Sequence, residues 1–332
     1  MRYLGSKAST AEIIYRLVAN YVSRGTFCDP FGGIGVVGAV FKQYGYTVWS
    51  GDILRNAYNF QVARLERQRL PSFRRLREIL ILPTDQDVVD YLNSAVQRGG
   101  WFEREYAKER RFFTRSNAMK IAGCRRLIYH WDHDGLLSSS EKSVLLASLV
   151  NSMDKVANTA GTYYAYLKSW YRKALRPFKF ELLKPTPGTM RCYVKYCPAE
   201  ELIRCRHFDV LYLDPPYNDR CYAGYYHLPE TIALQTTPRV YGRSGVPARK
   251  FPKSDYNRPG KARDALTNLL SHASFRLLVF HYADNGLISR SHITSLLSDF
   301  GSISEFSIGT RGYSTRAGRR RIQQRVYVVR NA

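Results

Sequence analysis

Residues 26–52 narrow the fold of this chain more than any other stretch. Residues 26–28 read as a short strand that runs into the glycine-rich turn Asp29-Pro30-Phe31-Gly32-Gly33-Ile34-Gly35. Residues 36–44 follow as a helix ended by Gly45, and residues 46–50 read as a second strand reaching Gly51-Asp52. Strand, glycine turn, helix and strand make a β-α-β unit, which belongs in a sheet with helices on its faces. Ahead of it, residues 9–23 have helical periodicity, with Ser9 or Thr10 as N-cap and Glu12 in the first turn.

The alternation then stops. Residues 57–179 carry mostly helical and basic signals, broken at Pro71 and Pro83 and turned at Gly99-Gly100 and Asp134-Gly135. Residues 140–156 read as an amphipathic helix. Alternation resumes with a buried strand at 208–213, a helix from 262, a strand at 276–282, a helix at 289–300 and a final strand at 325–329. The expected architecture is one α/β domain from residues 1–60 and 180–332, with a mostly helical domain inserted at 61–179. Residues 235–262, rich in Pro, Gly, Arg and Lys, read as a mobile basic loop.

Charge says what such a chain meets. Lys plus Arg number 51 against 27 Asp plus Glu, a formal net charge of +24 that is spread along the sequence. A polyanion is the natural partner, nucleic acid before anionic membrane. The 25 tyrosines among these basic residues suit base stacking beside phosphate contact. No apolar run approaches the roughly 18 residues a membrane span needs, and residues 1–7 carry no apolar signal core, which predicts a cytoplasmic protein. Cys192, Cys197 and Cys205 with His207 match no zinc spacing, so reduced, mostly packed thiols and no metal are expected.

Two motifs carry chemistry. Gly33-Ile34-Gly35-Val36-Val37-Gly38 fits G-x-G-x-x-G, with Asp52 about twenty residues on. Glycine lets backbone approach a ligand, and an acid ending the second strand can accept from ribose hydroxyls. By itself this motif leaves a nicotinamide cofactor and S-adenosylmethionine both open. The second motif, Asp214-Pro215-Pro216-Tyr217-Asn218, follows the buried strand. Two prolines hold the chain extended and leave carbonyls without neighbouring N–H donors. The Asp214 carboxylate and the Pro215 carbonyl can then grip both hydrogens of an exocyclic amine, while Tyr217 offers a face for a base. That arrangement holds an aromatic amine in line with a methyl donor and decides for S-adenosylmethionine.

At this point the chain resembles the Dam-like, adenine-N6-specific DNA methyltransferases of the alpha motif order. The resemblance rests on Arg2-Tyr3-Leu4-Gly5-Ser6-Lys7, on the glycine motif from Asp29, and on the stretch from Asp214 through Tyr222, continued by Tyr225-Tyr226-His227-Leu228-Pro229-Glu230-Thr231. Asn117-Ala118 and Val156-Ala157-Asn158-Thr159 resemble the recognition insert of a subset of the family. It implies a class I, Rossmann-like methyltransferase sheet with an inserted helical recognition domain. It implies S-adenosylmethionine as cofactor, held by Tyr3, Lys7, Asp29, Phe31, Gly33, Gly35, Asp52 and Asp214. Catalysis falls to Asp214, Pro215 and Tyr217, and substrate contacts to Tyr217, Asn218, Arg220 and Tyr313. Tyr282 with Asn285-Gly286 resembles the motif at the rear of the pocket. Two departures stand out: Pro198 occupies the usual aspartate position near the adenine ring, and His281 replaces the common serine before the rear tyrosine.

The resemblance further implies double-stranded DNA as partner, base flipping, a cognate restriction endonuclease as a second partner, and action as a monomer. Phosphate contacts are expected from Arg74, Arg75, Arg110, Arg111, Arg125 and Arg126 and from basic loops at 239–261 and 311–325. An RNA adenine methyltransferase and a non-catalytic DNA-binding protein of the same fold are the alternatives. A nicotinamide oxidoreductase leaves the Asp214 motif unexplained. Cytosine C5 chemistry needs a cysteine nucleophile, and the Pro-Cys pair for it is absent.

Overall fold

A computed structural model describes residues 5–248, 251, 254–315 and 318–331, with the side chains of 310–322 outside the description. Its strands are β1 (Thr26–Asp29), β2 (Thr47–Asp52), β3 (Tyr193–Tyr196), β4 (Phe208–Leu213), β5 (Val240–Tyr241), β6 (Val246–Pro247), β7 (Phe275–Ala283), β8 (Ser302–Thr315) and β9 (Gly318–Arg330). The chain divides into two compact units. One comprises Met1–Gly5, Leu54–Pro185 and Tyr222–Phe251; the other Ser6–Ile53, Thr186–Cys221 and Pro252–Ala332. The first thus takes in residues on both sides of the 61–179 segment.

The second unit holds a seven-stranded sheet in the order β3-β2-β1-β4-β7-β9-β8. The first five strands are parallel and β9 runs antiparallel between β7 and β8. This is the class I methyltransferase arrangement. Strands β4 and β7 are apolar on nearly every residue because a doubly wound sheet is covered on both faces. The register of β1 against β4 is pinned at its start. Asp209 accepts from the Thr26 amide at 2.7 Å and hydroxyl at 2.8 Å. Gly25, at φ 138°, lies so close that a Cβ there would meet the same carboxylate at 2.5 Å.

Strand order reverses at β1, whose neighbours are β2 on one side and β4 on the other. In open α/β sheets a ligand crevice lies at such a reversal, outside the carboxyl ends of the strands. The β8–β9 hairpin reaches past the sheet at this same end. Ala283, the last residue of β7, pairs with Gln324, while hairpin pairing continues to Thr315↔Gly318. The described residues of the expected basic loop at 311–325 are therefore strand, paired across one hairpin that no apolar alternation announced. The edge strand β3 was also not foreseen, since its four residues are half-buried or exposed.

The first unit is helical, built around Arg115–His133 and Ser139–Asp154. Ser138 caps the second helix reciprocally with Glu141, a capping box. Gly123 lets the first helix press onto backbone: a Cβ there would lie 2.6 Å from the Ala95 carbonyl carbon. Part of the 235–262 stretch belongs here as the antiparallel pair β5–β6. Another part, the turn Asp255–Asn257 of the sheet unit, buries Tyr256 and Asn257. The described parts of that stretch are thus built structure, with partners far away in sequence. No helix among the described residues is long and apolar enough to cross a membrane.

Candidate active site

The crevice at the strand reversal is lined by strand ends. Asp29 ends β1, Asp52 ends β2, and Asp214 follows β4 directly. Gly33 and Gly35 have φ of 51° and 74°, a left-handed turn that other residues resist. The turn closes when the Gly33 amide donates to Asp52 Oδ2 at 3.0 Å. Gly32 meanwhile donates to the Gly51 carbonyl at 2.9 Å. The two halves of the G-x-G…Asp pattern are thus one hydrogen-bonded object.

Lys7 and Asp214 form a buried ion pair through Lys7 Nζ and Asp214 Oδ2; the side chains are 5% and 16% exposed. Burial nevertheless raises the Asp214 carboxyl above its ordinary value, with Lys7 pulling the other way. Asp29 is pushed well up by burial first and then by the neighbouring Asp214 charge. Its Oδ1 is buried with no hydrogen-bond partner among the described residues. Three carboxylates and one ammonium therefore share a poorly solvated crevice. That is a costly arrangement for an unliganded protein and a suitable one for a bound cation or donor.

The loop after Asp214 is clamped. The Tyr217 carbonyl accepts from Leu287 N–H at 2.9 Å, and the Tyr217 ring meets Tyr282 edge-on, centroids 6.2 Å apart. Tyr282 stacks on Phe280, and its hydroxyl accepts from the Ile288 amide at 3.3 Å. Gly286 is required by this packing: a Cβ there would lie 2.2 Å from the Tyr282 ring. The Asn257 amide donates to the carbonyls of Asn218 at 2.8 Å and Arg220 at 3.0 Å. Sequence reasoning missed Asn257, because its partners are tens of residues away and nothing local marks it. Phe31 meets the Tyr256 ring edge-on at 5.0 Å.

His281 is fully buried, and its Nδ1 lies 3.0 Å from the Tyr212 hydroxyl. Burial pulls it well below the usual imidazole range, so it is a neutral wall residue near neutral pH. Pro198 caps the helix Ala199–Ile203 with its carbonyl, and Glu200 of that helix accepts from Tyr256 Oη at 2.8 Å. Pro198 therefore supplies no side-chain acceptor. Among the described residues no three His, Cys, Asp or Glu side chains gather as a metal site.

Several sequence-predicted residues thus meet: Lys7, Asp29 and Asp214 electrostatically, Gly33 with Asp52, Tyr217 with Tyr282. The Arg220 side chain is exposed. Tyr3 and the Tyr313 side chain lie outside the described residues. Two of the arginines expected at phosphate are committed elsewhere. Arg110 bonds to Gly242 O and Glu105, and Arg125 lies over the Trp101 ring and donates to Thr236 O.

Sequence comparison bears directly on this crevice. The profile of the D12 class N6 adenine-specific DNA methyltransferases matches residues 3–295, from the segment of Lys7 past Tyr282. The chain belongs to this family. Among relatives, the type II methyltransferase M.FokI of Planomicrobium okeanokoites is 32% identical over 310 residues, covering 91% of this chain and 47% of that protein. The modification methylase StsI of Streptococcus sanguinis is 32% identical over 304 residues, with 90% and 46% covered. The chain thus spans about half the length of these two relatives. The type II methyltransferase M.NlaIII of Neisseria lactamica is 30% identical over 309 residues, with 91% and 89% covered.

Proposed function

We propose that this D12 class chain transfers a methyl group from S-adenosylmethionine to the N6 amine of adenine in double-stranded DNA. The observation that carries the reading is the Asp214 carboxylate, buried at the strand reversal, bonded to Lys7 and followed by the clamped Pro215-Pro216-Tyr217 loop.

The crevice fits the cofactor. Asp29 Oδ1 lacks a donor where an ammonium group would supply one. The left-handed turn at Gly33 and Gly35 leaves room for close backbone approach, and Asp52 stands where a ribose would be met. Tyr3, Lys7 and Phe31 complete the proposed set. The cofactor, when bound, supplies an electrophilic methyl on a sulfonium. Everything else is asked of the protein. A target base inside a duplex must be turned out, at a cost of a few kcal/mol. Stacking on Tyr217 and edge contact from Tyr282 offset part of it. Asp214 and the Pro215 carbonyl accept from the two amine hydrogens and draw the nitrogen toward tetrahedral geometry. Direct in-line transfer would then rest on positioning and electrostatics: the methyl–sulfur bond would break as the bond to N6 forms, leaving a neutral thioether, and the amine proton would pass to solvent after the methyl arrives. Asn218 and Arg220 extend the contact to the target strand, joined by Tyr313.

The helical unit is the proposed target-recognition part. Relatives named as modification methylases support a cognate restriction endonuclease as a partner. Action as a monomer in the cytoplasm completes the reading. The deciding test is transfer of labelled methyl from S-adenosylmethionine to unmethylated genomic DNA, followed by nucleoside analysis. Label in N6-methyladenine is expected. Label only in RNA, or none with the cofactor bound, would overturn it.

A further inference from the structure

The geometry points to a rigid aromatic face on the helical unit, formed by residues 164–172 and the β5–β6 hairpin, as the surface that grips duplex DNA. This rests on the proposed function and names the residues that would hold its substrate. Tyr164, Trp170, Tyr171 and Tyr241 are 57%, 38%, 49% and 56% exposed. Exposed rings on a floppy loop would mean little, but these segments are firmly tied down.

Asn158, fully buried, does most of the tying. Its side-chain nitrogen donates to the carbonyls of Arg111 and Leu167, each at 3.0 Å, and its side-chain oxygen accepts from Tyr171 N–H at 2.9 Å. Its backbone also pairs with Phe112 and Leu167. Asn117, equally buried, takes the amide of Phe178 at 2.9 Å and donates to the Arg176 carbonyl at 2.9 Å. The hairpin is fixed by Tyr106 Oη on the Gly245 carbonyl at 3.1 Å and by Arg110 Nε on the Gly242 carbonyl at 3.0 Å. The Ser244 hydroxyl donates to the Tyr164 carbonyl, which joins the two segments into one surface.

Charge selects the partner. Residues 158–178 and 235–248 contain no Asp or Glu, while Lys168 and Arg243 are exposed in the same two segments. Rigid aromatic rings among cations match the sugars and phosphates of a duplex backbone, with Tyr hydroxyls and the Trp N–H as donors to phosphate, and the ordering cost has already been met by folding. Glu105 is the acid beside Tyr241, and it is already paired with Arg104 and Arg110, so the uncompensated charge of these two segments is positive, which suits DNA.

The test uses the full chain with Trp170→Ala, Tyr171→Ala and Tyr241→Ala, singly and together, plus Lys168→Ala. Filter binding measures affinity for genomic DNA fragments across a salt series, and S-adenosylmethionine affinity is measured in parallel. Each aromatic loss is expected to weaken DNA binding about fivefold with the salt slope kept. Lys168→Ala is expected to lower the slope by about one. Cofactor affinity and thermal melting should not move. A triple aromatic variant that binds and methylates DNA like the wild type would overturn the inference. Wild-type protein that binds DNA through this face yet transfers no methyl would instead overturn the proposed function alone.

Discussion

The two units spend their polar residues in opposite ways. In the sheet unit, Asp29, Asp52 and Asp214 stand at or just beyond strand ends, converge on one crevice, and are charged groups held where water is scarce. In the helical unit, buried Asn117 and Asn158 face the unit's own backbone, and Tyr164, Trp170, Tyr171 and Tyr241 are among the side chains left exposed. The sheet brings chemistry together by topology, because parallel strands end on the same side. The helical unit instead uses buried polar side chains to fix backbone from behind: the amides of Asn117 and Asn158, and the carboxylates of Glu103 and Glu230. A motif residue therefore means a contact group in one unit and a fastening in the other.

The sharpest way to break this contrast is Asp214→Ala. Transfer should fall by at least roughly a hundredfold, while DNA affinity, assigned to the other unit, stays nearly intact. Normal turnover in labelled-methyl assays would remove Asp214 from its role. Next comes Gly286→Ala, whose Cβ would collide with the Tyr282 ring. Overpacking should cost about 1–3 kcal/mol in chemical denaturation and lower kcat by displacing Tyr282, with cofactor affinity little changed. Unaltered kcat would separate Tyr282 from the pocket.

Acid tests the helical unit. His227 is buried with Nε2 donating to the Tyr163 carbonyl at 2.8 Å, and burial pulls it down to about 4. The unfolded chain protonates it near pH 6.5 and the folded one does not. Its contribution is present above pH 6.5 and lost as pH falls toward 4, by up to about 3 kcal/mol. His227→Gln should flatten that part of the stability curve, and an unchanged curve would contradict it. The raised Asp29 and Asp214 act in the opposite sense, since protonation favours their folded state as pH falls. Asp29→Asn should accordingly raise the melting temperature of the cofactor-free protein by roughly 2–4 °C and weaken S-adenosylmethionine binding. A lower melting temperature would show that Asp29 is not strained by burial.

Much of the sheet was legible because its signals are local. The glycine turn, the apolar run of β4 and the prolines after Asp214 each state their geometry within a few residues, and φ restrictions leave them little choice. What was not legible depends on distance along the chain. The sequence predicted a loose basic loop at 235–262, yet Tyr256 and Asn257 are buried there and Asn257 clamps Asn218 and Arg220. Arg110 and Arg125 were expected at phosphate and serve instead as props for the hairpin and its approach.

By itself the sequence determined the β-α-β beginning, the glycine turn with its distant aspartate, and the Asp214 motif. These are properties of backbone stereochemistry and of strand period. The tertiary structure alone decided which charges meet and which rings stay exposed. Lys7 reaches Asp214 only because both flank the same strand reversal. Asn158 silences its own polarity on backbone groups from three other positions, and in doing so holds Tyr171 at the surface. Such pairings form when chain-closure entropy is offset by a packed core, and residue order carries no local trace of them.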